Sequence, residues 1–128
     1  MHRESRLRRS ADFDRARSGG RGWSHDILVC YVFLREEPGP LRVGIIVSRR
    51  VGNAVVRNLV KRRIREATRA LYPELAPQRD LVVIARPKIV DHSLADIRRT
   101  LYSLFRRAGL TIDPETAKNA FTSGPTDS

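Results

Sequence analysis

The chain has 128 residues, of which 41% are hydrophobic, so it can form a single core and is not a wholly disordered protein. One cysteine and the lack of any apolar run of about eighteen residues exclude an intramolecular disulfide and a membrane-spanning helix. The net charge of +11 favours a polyanionic partner, since neutralised phosphates release their counterions.

A short helix is predicted near the N-terminus. Ser10 is a suitable N-cap, and the helix continues through Arg17 until Gly19-Gly20 ends it. Phe13 precedes Arg17 by four residues, so both side chains lie on one side of this helix.

Two strands and a turn follow. Residues 26–34 and 41–48 are rich in β-branched and aromatic side chains, which favour strands, and the segment 36–40 contains the glycine and prolines of a turn. Because only this turn separates the two strands, we expect them to pair antiparallel. A short additional strand is predicted over residues 21–24.

The longest predicted helix covers residues 54–71 and follows a loop over residues 49–53. Gly52 permits a tight turn in this loop, and Asn53 is a suitable N-cap. Pro73 stops the helix because proline cannot continue the hydrogen-bond ladder.

The net charge is concentrated in two segments. Residues 49–69 hold eight basic residues and one acid, and residues 1–22 hold seven basic residues and three acids. The other residues hold ten basic and ten acidic side chains, which cancel. This concentration predicts a binding face.

The cations of the helix over 54–71 share one side of it, because each residue advances about 100° around the axis. Val60 and Ile64 lie on the apolar side, and Arg63 lies beside them, where its stem covers the edge of the core. A solvated face usually mixes charges of both signs, so a face without an acid favours RNA binding. The cationic face consists of Arg57, Asn58, Lys61, Arg62, Arg65 and Arg69, with Thr68 and Ala54 among them.

The C-terminal half predicts one more strand and one more helix. Residues 80–86 have an almost unbroken apolar centre, which is typical of a central strand. Ser93 and Asp96 have the spacing of a capping box, and Gly109 ends the helix that follows. We expect one RNA-binding α/β domain over residues 1–112 and a disordered tail over 113–128. The helix has an apolar stripe of Leu94, Ile97, Leu101, Leu104 and Phe105.

The pattern predicts no catalytic residue and no metal bound by protein side chains. His2, His25 and His92 have no partners at the spacing of a metal site or a catalytic triad. A His25–His92 pair for acid–base cleavage of RNA is the weaker alternative, since isolated histidines are usually surface residues. The charged N-terminus lacks the apolar core of a signal peptide, and Cys30 is predicted to be a small buried hydrophobe, so we expect a cytoplasmic protein.

The segment Val51-Gly-Asn-Ala-Val-Val-Arg-Asn-Leu-Val-Lys-Arg-Arg-Ile-Arg-Glu-Ala67 closely resembles the signature of the bacterial ribonuclease P protein subunit. Asp12-Phe13 followed by glycines, the strand and arginines over 41–50, and the strand over 80–86 extend the resemblance to residues 5–107. The family's helix usually opens Arg-Asn-Arg, whereas the third position here is Leu59, at the flank of the cationic face.

The resemblance implies a two-layer α/β sandwich of order αβββαβα with a left-handed βαβ crossover, a fold like that of ribosomal proteins and an elongation factor G domain. It also implies a subunit of the ribonuclease P holoenzyme, which removes the 5′ leader from precursor tRNA. The partners implied are the catalytic RNA and precursor tRNA, with the chemistry and its Mg²⁺ belonging to the RNA. We expect no membrane or DNA partner.

The resemblance further implies which residues bind each RNA. Phe13, Arg17 and Tyr31 would bind the leader, although Phe13 is equally consistent with a core position and Tyr31 with an ordinary strand residue. Arg17 stands where relatives often carry a second aromatic, which would make this cleft more cationic. The catalytic RNA would be bound by Arg49, Arg50, Asn53, Arg57, Asn58, Lys61, Arg62, Arg65 and Arg69.

Two other functions are compatible with the charge pattern. A ribosomal or other structural RNA-binding protein would look similar. A DNA-binding module could place its basic helix in a major groove, but no dimer heptad supports it, and dependence on the 2′-hydroxyl would distinguish the two nucleic acids.

Overall fold

The computed structural model describes residues 5–112, and the predicted tail over 113–128 lies outside them. The elements follow the predicted order αβββαβα. No helix in this part of the chain is long and apolar enough to cross a membrane. The helices and strands are α1 (Ser10–Gly19), β1 (Arg21–Ser24), β2 (Leu28–Leu34), β3 (Arg42–Ile46), α2 (Ala54–Leu71), β4 (Arg79–Ala85) and α3 (Leu94–Arg107), with 3-10 turns over Tyr72–Glu74 and Pro87–Asp91.

The four strands form one mixed sheet in the order β1-β2-β4-β3. β4 is central, as predicted, and pairs antiparallel with β2 and parallel with β3. The expectation that β2 and β3 pair with each other is therefore wrong. The reason is that β4 buries both of its faces, including Leu81, Val82 and Val83, and only a central strand can do so. The left-handed sense of the β3–α2–β4 crossover stays a prediction.

The helix ends agree with the sequence at most positions. The Asn53 side chain accepts a hydrogen bond from the Val56 N–H at 3.0 Å, which confirms the N-cap of α2. Ser93 and Asp96 form the predicted capping box, and Gly109 ends α3 with a φ of +68°. The N-cap prediction for Ser10 is wrong, because the extended residue before α1 is Arg9 and Ser10 is already helical.

The helices form layers on opposite faces of the sheet. α2 and α3 cover one face and bury its core, which includes Cys30, Ile64 and Leu101. Burial raises the pKa of the Cys30 thiol to about 12, which agrees with its prediction as a small hydrophobe. The other face packs against α1 and the N-terminal segment through Ala16 and Leu7. α1 has only ten residues, and residues of that face such as Tyr31 are only half-buried. Part of the face is therefore open to solvent.

A buried carboxylate fixes α1 to the sheet. Asp80, at the start of β4, is fully buried and accepts hydrogen bonds from three arginines. Arg35 Nη1 lies 2.8 Å from Asp80 Oδ1, Arg42 Nε lies 2.8 Å from the same oxygen, and Arg15 Nη2 lies 3.1 Å from Oδ2. Because Arg15 belongs to α1, this cluster holds the helix that carries Phe13 and Arg17 in place.

Candidate nucleic-acid interface

The cationic face of α2 has a protected edge and an exposed edge. Arg57, Lys61 and Arg65 are half-buried, and the three other members, Asn58, Arg62 and Arg69, are exposed. Thr68 is buried and donates its hydroxyl hydrogen bond to the Ile64 carbonyl at 2.8 Å, so it is not part of the surface. The face is therefore turned so that one edge of it lies against the body of the protein.

Some cations of α2 already have partners within the protein. Arg57 Nη1 donates to the Gly52 carbonyl at 3.2 Å, and Arg69 lies 3.7 Å from the Glu66 carboxylate. Arg63 donates to the His92 carbonyl at 3.3 Å, which agrees with the structural position predicted for it. In the described part of the chain, Lys61, Arg62 and Arg65 form no ion pair with an acid. These three cations keep their charge available to a polyanion.

The loop before α2 adds two exposed cations. Arg49 and Arg50 lie in the turn between β3 and α2 and are exposed. Asn53 uses its side-chain oxygen for the N-cap bond, so its amide nitrogen is the group that remains for an RNA contact. Gly52 does not have a positive φ, so its backbone conformation does not require glycine. Close packing does require it, because a Cβ at this position would lie 2.9 Å from Val56 Cβ.

The aromatic residues predicted to bind the leader lie on the sheet face that α1 covers in part. One row of paired residues crosses the sheet from Gly22 through Tyr31 and Val82 to Gly44. A Cβ at Gly44 would lie 2.3 Å from Phe13 Cε1, and a Cβ at Gly22 would lie 2.8 Å from Tyr31 Cε1. The two glycines therefore let both rings lie close against the backbone. Both rings are half-buried, so each keeps an exposed part.

One cavity brings the two sets of predicted residues together. Phe13, Lys61 and Arg65 line a cavity of about 250 Å³, to which the N-terminal segment adds Arg6 and Arg8. No acidic residue lines it. Leu7 positions this segment, because its side chain is buried and its N–H donates to the Val43 carbonyl at 2.9 Å.

The open surface continues from this cavity along α1. Phe13, Asp14 and Arg17 line the next cavity, of about 390 Å³, and Asp14, Arg17 and Tyr31 line the one beyond it, of about 320 Å³. Phe13, Arg17 and Tyr31 thus lie along one path that starts at Lys61 and Arg65. We call this path the leader groove, after the prediction that its aromatic residues bind the leader; its charged and aromatic lining consists of Arg6, Arg8, Phe13, Asp14, Arg17, Tyr31, Lys61 and Arg65.

Sequence reasoning does not find two parts of this arrangement. Arg6 and Arg8 contribute to the charge of residues 1–22, but nothing in their spacing places them beside α2. The roles of Gly22 and Gly44 depend on strand register, which no local pattern specifies.

The remaining candidates are separate from the leader groove. The Ile27 N–H donates to His25 Nδ1 at 3.4 Å, and His92 Nδ1 lies 3.4 Å from the Asp96 carboxylate. Leu59 is 38% exposed at the flank of the cationic face. Among residues 5–112, no three His, Cys, Asp or Glu side chains are grouped so that they could hold a metal ion.

Comparison with known proteins identifies a group of relatives. Residues 1–109 match the family model described as Ribonuclease P. The ribonuclease P protein component of Roseiflexus castenholzii is 40% identical over 114 residues, covering 86% of this chain and 90% of the relative. That of Herpetosiphon aurantiacus is 39% identical over 115 residues, covering 90% and 93%.

Two solved structures have the same fold. The RNase P protein of Staphylococcus aureus superposes with a TM-score of 0.77 at 32% identity, covering 84% of this chain and 97% of that one. The RNase P protein from Thermotoga maritima superposes with a TM-score of 0.72 at 29% identity, covering 80% and 98%.

Proposed function

The chain belongs to the family of ribonuclease P protein components, and we propose that it binds the catalytic RNA through α2 and the 5′ leader of precursor tRNA through the leader groove. Membership implies a role in tRNA 5′ processing as part of a ribonucleoprotein enzyme. The observation that carries the finer assignment is the cavity shared by Phe13, Lys61 and Arg65. It joins an aromatic surface to a basic surface without an intervening acid.

The exposed edge of α2 supports docking on the catalytic RNA. Arg62, Arg69, Arg49 and Arg50 project from α2 and its preceding loop as exposed cations, which bind phosphates and release counterions. An acid-free helix face is a stable arrangement only where its charges are spread or neutralised, because like charges four residues apart repel. A folded polyanion supplies that neutralisation.

The leader groove supports binding of a single strand. Bases stack on aromatic rings while arginines and lysines track the backbone, and this combination binds single strands with little sequence preference. Phe13 and Tyr31 supply the rings, and Arg17, which lines a cavity with each ring, supplies a cation beside Asp14. Duplex RNA would not present its bases to these rings, so the groove suits the unpaired leader and not the tRNA body.

The protein's own contribution in this proposal is electrostatic and positional. It lowers the repulsion between two RNA polyanions and holds the leader so that the scissile bond meets the catalytic RNA. Hydrolysis and the Mg²⁺ that activates water are assigned to the RNA. The cytoplasmic location expected from the sequence stays a prediction.

Replacing Phe13 with leucine in the preassembled complex tests the groove directly. Leucine keeps an apolar contact over Gly44 but removes stacking, so binding of precursor tRNA should weaken by about 1–3 kcal/mol for a base unstacked, or roughly 5- to 150-fold. Mature tRNA, which has no leader, should bind as before. Fluorescence titration of both tRNAs, with thermal melting of the free protein, measures the three quantities.

Tyr31→Phe is the matched control, because it keeps the ring and should keep the affinity for precursor tRNA. Equal weakening for precursor and mature tRNA at unchanged melting temperature would contradict the groove assignment. A loss of stability of about 3–5 kcal/mol for Phe13→Ala, with both tRNAs bound poorly, would show that Phe13 acts only as a core residue.

A further inference from the structure

The N-terminal segment that carries Arg6 and Arg8 lies along the outer edge of β3. β3 is an edge strand of the sheet, and Arg6 forms a parallel bridge with Val43 there. Side chains of an extended segment alternate between its two sides. Accordingly, Ser5 and Leu7 are buried, whereas Arg6 and Arg8 are exposed. The segment therefore directs its two arginines outwards, where they line the leader groove.

Tyr72 connects this segment to the end of α2. It lies in the 3-10 turn after α2, and its hydroxyl donates to the Leu41 carbonyl at 2.7 Å. The same hydroxyl lies 2.9 Å from the Ser5 hydroxyl. A tyrosine hydroxyl has one hydrogen and a carbonyl can only accept, so Ser5 donates to the Tyr72 oxygen. Tyr72 thus holds the residue that directly precedes Arg6.

The packing of the segment does not by itself explain this bond. Burial of Leu7 and protection of the β3 edge are sufficient reasons for a segment to lie here. An apolar side chain at position 5 would serve both purposes as well, because a buried polar group is costly without a partner. Ser5 is only 3% exposed, so water does not readily replace Tyr72 as its partner. A directed bond at this position fixes where the chain enters the groove.

The arginines that follow Ser5 need such a fixed backbone. Arg6 and Arg8 line the same cavity as Lys61 and Arg65, and no acidic residue lines it. Four positive charges held around one cavity repel one another, which favours release of the only mobile element among them. Holding the segment in place also lowers the entropy that is lost when a phosphate binds, because the cations are already arranged for it.

We propose that Tyr72 is a positioning residue for leader binding, which holds the N-terminal segment so that Arg6 and Arg8 contact the phosphates of the leader. The inference rests on the proposed function, because it requires the leader to occupy the leader groove. The described lining of that groove does not include Tyr72, so its effect on the leader passes through the segment.

Tyr72→Phe tests this role, because it keeps the ring that packs against the core and removes only the hydroxyl. In the preassembled complex, precursor tRNA should bind roughly 5- to 25-fold more weakly, which corresponds to one or two lost phosphate contacts at about 0.1 M salt. Binding of mature tRNA and of the catalytic RNA should stay the same. Tyr102→Phe is the matched control, since it removes a hydroxyl from an exposed tyrosine of α3 and should change none of these affinities.

A double-mutant cycle shows whether Tyr72 acts through the two arginines. In a chain that already carries Arg6→Ala and Arg8→Ala, Tyr72→Phe should not weaken precursor tRNA binding further. Ser5→Ala breaks the same connection but leaves the bond from Tyr72 to Leu41, so it should give the same selective loss. This second variant decides the question if melting shows that Tyr72→Phe does not fold.

The proposal is overturned if these hydroxyl substitutions leave precursor tRNA binding unchanged, or if their effect adds in full to that of the arginine substitutions. Equal weakening for precursor and mature tRNA also overturns it, because Tyr72 would then be only a structural residue. Phe13→Leu separates this result from the proposed function. If Phe13→Leu weakens precursor binding and Tyr72→Phe does not, the role of Tyr72 alone is wrong, and if neither does, the leader groove is wrong as well.

Discussion

Replacing Asp80 with asparagine is expected to lower the free energy of unfolding by about 3–5 kcal/mol. Asp80 is fully buried, and Arg35 is only 5% exposed, so the substitution leaves a buried guanidinium without its counter-charge. Arg35 would keep its bonds to the Arg79 and Pro40 carbonyls, both at 2.7 Å, but neither carries a negative charge. Denaturant unfolding followed by circular dichroism measures the change.

Asp14→Asn is the matched control for this substitution. Asp14 is an exposed aspartate on α1 and forms no ion pair among the described residues, so its replacement should change stability by no more than about 0.5 kcal/mol. If Asp80→Asn were as mild as Asp14→Asn, the arginine cluster would not be what holds α1 to the sheet.

The same carboxylate makes stability depend on acid pH. Burial alone would raise the pKa of Asp80, but hydrogen bonds from Arg42, Arg35 and Arg15 outweigh it and hold the pKa below its ordinary value of 3.8. The stabilisation from Asp80 is therefore complete above that value and disappears as the pH falls through the lowered pKa of the folded state. In Asp80→Asn this part of the acid dependence should be absent, which unfolding curves across the acid range would show.

Replacing Arg50 and Arg62, two exposed cations of the surface assigned to the catalytic RNA, together with alanine should have the largest effect on RNA binding. Removing one bond to a phosphate lowers the slope of log K against log salt by roughly 0.7–0.9, so removing two lowers it by roughly 1.4–1.8. The same relation gives roughly a 25- to 60-fold weaker affinity for the catalytic RNA at about 0.1 M salt. Filter binding at several salt concentrations gives both the slope and the affinity.

A variant with Arg86→Ala and Lys88→Ala is the matched control. Like the first variant, it removes two positive charges, but from exposed positions after β4 that lie outside the surface assigned to the catalytic RNA. The slope of log K against log salt should therefore hardly change. An unchanged slope for the Arg50 and Arg62 variant, with folding intact, would show that α2 and its preceding loop are not the docking surface. Equal changes in both variants would show that only net charge matters.

The local elements are predictable because each has a signal within a few residues. The apolar period, the Asn53 N-cap and the capping box at Ser93 locate α2 and α3 closely. Strand partners are not predictable in the same way. The turn over residues 36–40 favours a hairpin, but β4 gains more burial by pairing with both β2 and β3, and that competition involves residues far apart in the chain.

In the candidate site, too, the features set by nearby residues are predictable and those set by distant residues are not. The basic face of α2 follows from helical spacing alone, and only Thr68 is misplaced by it, because its hydroxyl is satisfied by the Ile64 carbonyl inside the helix. Arg6 and Arg8 reach the leader groove because the Leu7 N–H donates a backbone hydrogen bond to the Val43 carbonyl. No periodicity in the sequence indicates that contact.

Cleavage of precursor tRNA at low magnesium tests the central claim most directly. Three reactions are compared: the purified protein alone, its cognate catalytic RNA alone, and both together. We expect cleavage at the 5′ end of the mature tRNA to be much faster with both than with the RNA alone, and to be absent with the protein alone. Cleavage by protein free of RNA, or a rate with both components no higher than with the RNA alone, would contradict the account.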